Sequence, residues 1–199
     1  MRYTHTKQLL VTPPPIEPVS LSEAKRHCRI PDTFTDDDST IASLITSARQ
    51  VLEEECWSAF ITQTWDFWWD RFWWKLFVPH CPLQQVVKFQ YVSNASPWPQ
   101  IDIPTSVWEL SATNNLSYAR LKYLQTWPLT RGYRDDVYMR VTLGYGDAPG
   151  DVPMPIRHAI KLLVGDGYNN RENSVVGVVS TKISHGVDAL VAPYRLNEA

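Results

Sequence analysis

The chain has 199 residues, 44% hydrophobic and 20% charged, with 9 Trp and 15 Pro, a length that suits one domain with a real core plus an insertion or arms. With 19 basic against 21 acidic residues and a net charge of -2, it lacks the basic excess that neutralises phosphates, so sequence-specific reading of DNA is not expected. Its 3 cysteines, Cys28, Cys56 and Cys81, are odd in number and widely spaced, which suits neither a disulfide framework nor a zinc site and leaves reduced, mostly buried thiols.

Residues 1 to 18 show no periodicity, and Pro13, Pro14, Pro15 and Pro18 favour an extended arm of polyproline character. The only apolar run there, from Leu9 to Val11, is too short for a signal segment or a membrane span, which points to a protein made and kept in a cytoplasm. At Ser20 a helix begins: Ser20 with Glu23 makes a capping box, Val19 with Ala24 a hydrophobic staple, and Pro31 sets an end near Ile30. Asp36, Asp37 and Asp38 then offer acceptors and negative charge to a second helix. Its stripe is Ile41, Leu44, Ile45, Ala48, Val51 and Leu52, and it runs to about Cys56.

From residue 61 to residue 143 the pattern changes to short alternating runs broken by Pro, Asn and Gly. Strands are expected at 61–69, 74–78, 85–92, 107–110, 118–124 and 137–143, forming a small antiparallel sheet with many exposed edges. Helix returns after Pro153 and Pro155, with Ile156, Ile160, Leu163 and Val164 on one face up to Asp166 or Tyr168. Beyond a polar span, residues 175–179 form a weak strand-like run, and 184–192 a last short helix ended by Pro193. The expected fold class is α+β: a helical core of two or three main helices, an inserted antiparallel sheet, and extended N- and C-terminal arms. The expected division is an arm over 1–18, a core over 19–168 with its β insertion about 60–145, and a C-terminal arm over 169–199.

That order, with particular words, resembles the head-tail connector (adaptor) family of tailed phages. The words are Glu17-Pro-Val-Ser-Leu-Ser-Glu-Ala-Lys, the acidic run at 36–38 ahead of Ile41-Ala-Ser-Leu-Ile-Thr-Ser-Ala-Arg, and Ile61-Thr-Gln-Thr-Trp. Downstream come Gly144-Tyr-Gly with Val152-Pro-Met-Pro-Ile-Arg-His-Ala-Ile, the helix end Tyr168-Asn-Asn-Arg-Glu, and Ala189-Leu-Val-Ala-Pro-Tyr-Arg. The resemblance implies a virion protein of the neck, at the head-tail junction, synthesised in the bacterial host cytoplasm. It implies a twelve-fold ring of identical subunits beneath the portal protein, offering a surface to a downstream tail or neck protein. DNA would pass through that channel unread, and no cofactor, no metal, no membrane and no reaction are implied. The stretch from Trp65 to Phe77 and the arm before Pro13 depart from the family's pattern.

Trp65, Phe67, Trp68, Trp69, Phe72, Trp73 and Trp74 put aromatics on both faces of any strand. Three uses compete: sheet core, a subunit or tail interface through Trp68, Trp69, Trp73 and Trp74, and a sugar-stacking platform. The last defines the alternative function, a carbohydrate- or ligand-binding β module. Val187, Leu190, Val191, Tyr194 and Arg195 form an amphipathic terminal hook, either a frayed end or, by the family's C-terminal segment, the portal-binding contact. His27-Cys28 and His80-Cys81 look like nucleophile pairs but have no placed acid partner. Gly144-Tyr-Gly-Asp and Gly165-Asp-Gly lack phosphate-loop spacing and read as a turn and a helix end.

Overall fold

The computed structural model describes residues 6–112, 116–170 and 185–195. The first helix, α1 (Leu21–His27), starts as its sequence demands: Ser20 Oγ accepts from the Glu23 backbone N–H at 3.2 Å, and Glu23 Oε2 accepts from the Ser20 N–H at 3.0 Å. The staple residues Val19 and Ala24 are both buried.

The long helix α2 (Asp38–Cys56) buries Ile41, Ile45, Ala48, Leu52 and Cys56. Val51 is instead 50% exposed, because at 100° per residue it lies roughly a quarter turn off the centre of that stripe. The three aspartates do not cap as expected. Asp37 occupies the N-cap without a side-chain cap bond and accepts from the Tyr168 hydroxyl at 2.6 Å, which ties α2 to the third helix. Asp38 pairs at 2.8 Å with the buried Lys25 ammonium, which also donates to the carbonyls of Asp32 and Phe34. All three ammonium donors are thereby used. Arg49, also buried, bridges Glu17 at 2.8 Å and Glu53 at 2.6 Å, fixing the lead-in chain to α2.

The third helix, α3 (Met154–Asn169), lays Ile156, Ala159, Ile160 and Val164 on the α2 stripe. Gly165 and Gly167 lie within its last two turns; a Cβ on Gly167 would meet Leu44 Cδ2 at 2.8 Å. A short fourth helix, α4 (His185–Val191), ends in a 3-10 turn over Ala192–Tyr194.

Among the described residues eight strands make two antiparallel sheets. They are β1 (Lys7–Thr12), β2 (Gln63–Trp69), β3 (Lys75–Val78), β4 (Leu83–Val92), β5 (Gln100–Asp102), β6 (Trp108–Ala112), β7 (Ser117–Leu121) and β8 (Val137–Leu143). The orders are β1-β2-β8-β4-β5 and β3-β7-β6. β8 lies between β2 and β4, with Gln63 opposite Leu143 and Trp69 opposite Val137. Strand β7 stops at Leu121, short of the expected 124, and Leu124 has a φ of 61.

The arm is extended, as expected, and Lys7–Thr12 of it pairs with β2, a strand not foreseen from the sequence. All six residues are exposed, so no alternation marked the strand; what recruits it is the row of backbone groups on the outer edge of β2. The short edge strand β5 was likewise not expected.

The fold class is α+β with antiparallel sheets, but its apolar interior is divided in two. One cluster joins the helices through Ile41, Leu52, Phe60, Ile156 and Ile160. A second lies among the strands around Phe67, Trp69, Leu76, Met139 and Val141, so a helical core describes only one half. The strand-like run at 175–179 falls outside the described residues. Among the described residues no helix is long and apolar enough to cross a membrane, and no cluster of His, Cys, Asp or Glu is placed to hold a metal.

Candidate assembly surfaces

The aromatic stretch divides by strand alternation. Phe67 and Trp69 point into the second core with no exposed surface, and Trp65 stacks on Phe67 and on His80, with centroids at 6.2 and 4.8 Å. Trp69 is therefore a core residue, and the interface role expected for it is corrected: as an odd-numbered residue of β2 it shares the inward face with Phe67. Trp68, on the opposite face, is half-buried against Tyr138 at 5.3 Å, with the Lys7 ammonium 4.4 Å from its ring centroid. Trp73 is half-buried under the Arg71 guanidinium, and its carbonyl accepts from Trp127 Nε1 at 3.0 Å. Trp74 alone of these four is mostly exposed, at 66%.

The outward face of β2 also carries Asp66, which is buried. It receives two bonds from Arg140, at 2.7 and 2.8 Å, and one from the Tyr138 hydroxyl at 3.0 Å. The bidentate pair clamps β2 to β8, directly opposite one another in register.

A surface not anticipated from the sequence is the loop between β7 and β8. Tyr123, Leu124, Leu129 and Tyr133 stand exposed there, while Phe72 stacks on Trp127 at 4.6 Å beneath them. Fully buried Asp136 holds the loop's end, accepting from Arg131 at 2.8 Å and from the Tyr133 N–H at 2.8 Å. The available signal was a cluster of large apolar residues, Tyr123, Leu124, Leu129 and Tyr133, continuing past the expected strand into a stretch without helix or strand period.

The terminal hook is docked on its own chain. Val187 and Val191 are buried in the helical core, Leu190 and Tyr194 pack against it half-buried, and Arg195 bridges Asp188 and Glu55, each at 2.6 Å. The five residues expected to meet the portal thus share one short segment, but two of them face inward.

The nucleophile pairs come apart. His80 stacks between Trp57 and Trp65, whereas Cys81 Sγ faces Ser117 Oγ at 3.9 Å. His27 turns its ring edge-on to His158 at 6.3 Å, and Cys28 is half-buried at the helix end. Burial pushes the Cys81 thiol up to about 11, and the Cys56 thiol up to about 12. That is the wrong direction for a thiolate nucleophile. In native protein at pH 8 only Cys28 is therefore expected to react with a disulfide reagent, and slowly, since burial raises it too. Counting thiols by absorbance before and after urea checks this; rapid native labelling of Cys81 would contradict it.

Gly144-Tyr-Gly is a junction between the helical and sheet halves. Gly144 has a φ of 128, and a Cβ there would lie 2.8 Å from the Ile61 carbonyl and the Thr62 nitrogen. Around it Tyr145 N–H donates to the Phe60 carbonyl at 3.1 Å, and Thr62 N–H to the Gly146 carbonyl at 3.0 Å. Two backbones approach here closely enough to require glycine.

Residues 18–75, from the capping box through α1, α2 and β2, match the family model of the Phage gp6-like head-tail connector protein. Solved structures share the fold along nearly the whole chain. The neck of an empty gene transfer agent (GTA) particle, computed with C6 symmetry, contains a chain that superposes with a TM-score of 0.80 at 20% identity, over 98% of this chain and 97% of that one. A chain of the native gene transfer agent virion gives 0.78 at 19%, and one from the native particle's neck computed with C12 symmetry gives 0.74 at 18%, with the same coverages. Among curated proteins no sequence matches. The family match and the shared fold support the resemblance to head-tail connectors read from the sequence words.

Proposed function

We propose that this chain is a structural virion protein of the neck: a head-tail connector subunit that closes with identical copies into a ring beneath the portal. The ring extends the DNA channel and presents a surface to the next tail component. What carries this reading is that the family match covers the capped α1, α2 and β2, the segments that frame a fold shared along 98% of the chain with a neck protein. Twelve copies accord with the C12 neck among the similar structures. The work is mechanical, with no reaction and no sequence-specific contact to the DNA.

Mixing the protein with purified portal and imaging in negative stain should show a second ring stacked coaxially on the portal. Portal rings that remain bare would reject the connector role. A sugar-binding module built on the aromatic stretch is the weaker reading, because among Trp68, Trp69, Trp73 and Trp74 only Trp74 is mostly exposed.

Portal contact through Val187, Leu190, Val191, Tyr194 and Arg195 takes one of two forms. With α4 docked, the partly exposed faces of Leu190, Tyr194 and Arg195 meet the portal; with α4 swung out, Val187 and Val191 join them. Truncation before residue 184 would strip two side chains from the core, so substitution is the cleaner probe. Leu190→Ser with Tyr194→Ser should lower portal pull-down about tenfold or more, the loss of two partly buried anchors, while circular dichroism stays folded. Undiminished binding would remove the hook from the interface.

A further inference from the structure

Two surface patches of opposite character lie at the two ends of β2. At its outer end an open hollow of about 530 Å3 is lined by Thr6, Asp70, Arg71, Trp73, Tyr133 and Arg134. Its cations outnumber its acids, and the one carboxylate already accepts from the Asp135 N–H at 3.1 Å. Within the lining Arg71 lies 4.3 Å over Trp73, while Arg131, outside the lining and paired with Asp136 at 2.8 Å, lies 5.2 Å from the Tyr133 ring. The Tyr133 ring is 66% exposed.

At the C-terminal end of α2, before β2 begins, a shallow surface of about 690 Å3 is lined by Gln50, Val51, Glu54, Glu55 and Trp57. It joins two carboxylates to two exposed apolar side chains and contains no cation in its lining. The negative end of the α2 dipole adds to its field. Glu55 shares the Arg195 guanidinium at 2.6 Å, while Glu54 stands exposed beside it.

The patches are opposite in sign, each has an apolar centre, and they share no lining residue. β2, seven residues or roughly 23 Å at 3.3 Å per residue, runs in the chain between Trp57 of one patch and Asp70 of the other. A second copy can bring them together. A contact between two different patches of identical chains is heterologous and repeats around an axis until it closes. We propose that the arginine-aromatic hollow at the outer end of β2 receives the Val51, Glu54, Glu55 and Trp57 face of a neighbouring copy, and that this contact closes the ring. The inference rests on the ring reading above and specifies which surfaces make the ring.

The test uses the full chain and two single charge reversals, Glu54→Arg and Arg134→Glu. Sedimentation velocity over a range of protein concentrations should show each variant folded but associating at least about tenfold more weakly than wild type, as like charges are brought face to face. Placing both reversals in one chain should restore assembly. So should mixing the two single variants, since alternating copies then present opposite charges at every contact; a misfolded variant could not be rescued in this way. Singles that assemble like wild type, or reversals that fail to rescue each other, overturn the assignment of these surfaces. If such variants still stack on portal as rings, the connector reading stands without this interface. A wild-type chain that makes no ring alone or on portal rejects both.

Discussion

Replacing Arg140 with Ala is expected to destabilise the chain by about 3 kcal/mol, the low end for breaking a buried ion pair, because the stranded Asp66 carboxylate is buried while the guanidinium itself is 33% exposed. Asp66 is 4% exposed and accepts two bonds from Arg140 and one from the Tyr138 hydroxyl. Without the guanidinium the carboxylate stays in the sheet with one neutral donor, and desolvation that was offset becomes a net cost. The effect should exceed that of the exposed pair Arg120 with Glu109, whose side chains are 51% and 41% exposed and whose loss should cost under about 1 kcal/mol. Urea unfolding followed by circular dichroism measures both, and for a chain of this size the Arg140 variant's Tm should fall on the order of 10 °C. The double change Arg140→Ala with Asp66→Ala should cost less than Arg140→Ala alone, because the stranded charge goes with it. A double variant weaker than the single would mean that the clamp acts through packing and not through charge.

Phe60→Ala should cost a similar amount, about 3–5 kcal/mol, by opening a cavity that the surroundings cannot fill. The ring has no exposed surface and belongs to the helical cluster. Its backbone is held from both sides: the N–H donates to Glu53 Oε1 at 2.9 Å and the carbonyl accepts from Tyr145 at 3.1 Å. Residue 60 lies where α2 hands over to β2, so collapse there would shift the relation between the two clusters. Phe60→Leu should recover most of the loss, since it restores most of the buried volume. An equilibrium unfolding cost below about 1 kcal/mol for Phe60→Ala would show a site able to repack. Neither change touches the two surface patches, so each variant that remains folded should associate as the wild-type chain does.

Some elements could be read directly from local chemistry. Ser20 with Glu23 capped α1, Ile41, Ile45, Ala48 and Leu52 formed the inward stripe of α2, and Ile156, Ile160 and Val164 did the same for α3. The alternation of Val137, Met139, Val141 and Leu143 gave β8 with its apolar face inward. Such signals depend on a residue's neighbours within a turn or two, and a periodic face buried on one side leaves them in the sequence itself.

Other features depended on partners distant in the chain, and only the tertiary structure decided them. Lys7–Thr12 is a strand because the edge of β2, more than fifty positions on, has backbone groups to satisfy. The three aspartates sit at a helix start, yet Lys25 and Tyr168 determine what Asp38 and Asp37 do there. The tryptophans carried no label for core or surface, since the same aromatic side chain serves either. The registers of β2 and β8 turned Trp69 inward, left Trp68 on the far face with Tyr138, and brought Asp66 onto Arg140. The terminal hook had an amphipathic face legible in Val187 and Val191, but its complement is the side of the helical core assembled from α2 and α3. Local periodicity therefore determined the helices and most strands of this protein, whereas long-range pairing decided which faces remain outside to meet a neighbour.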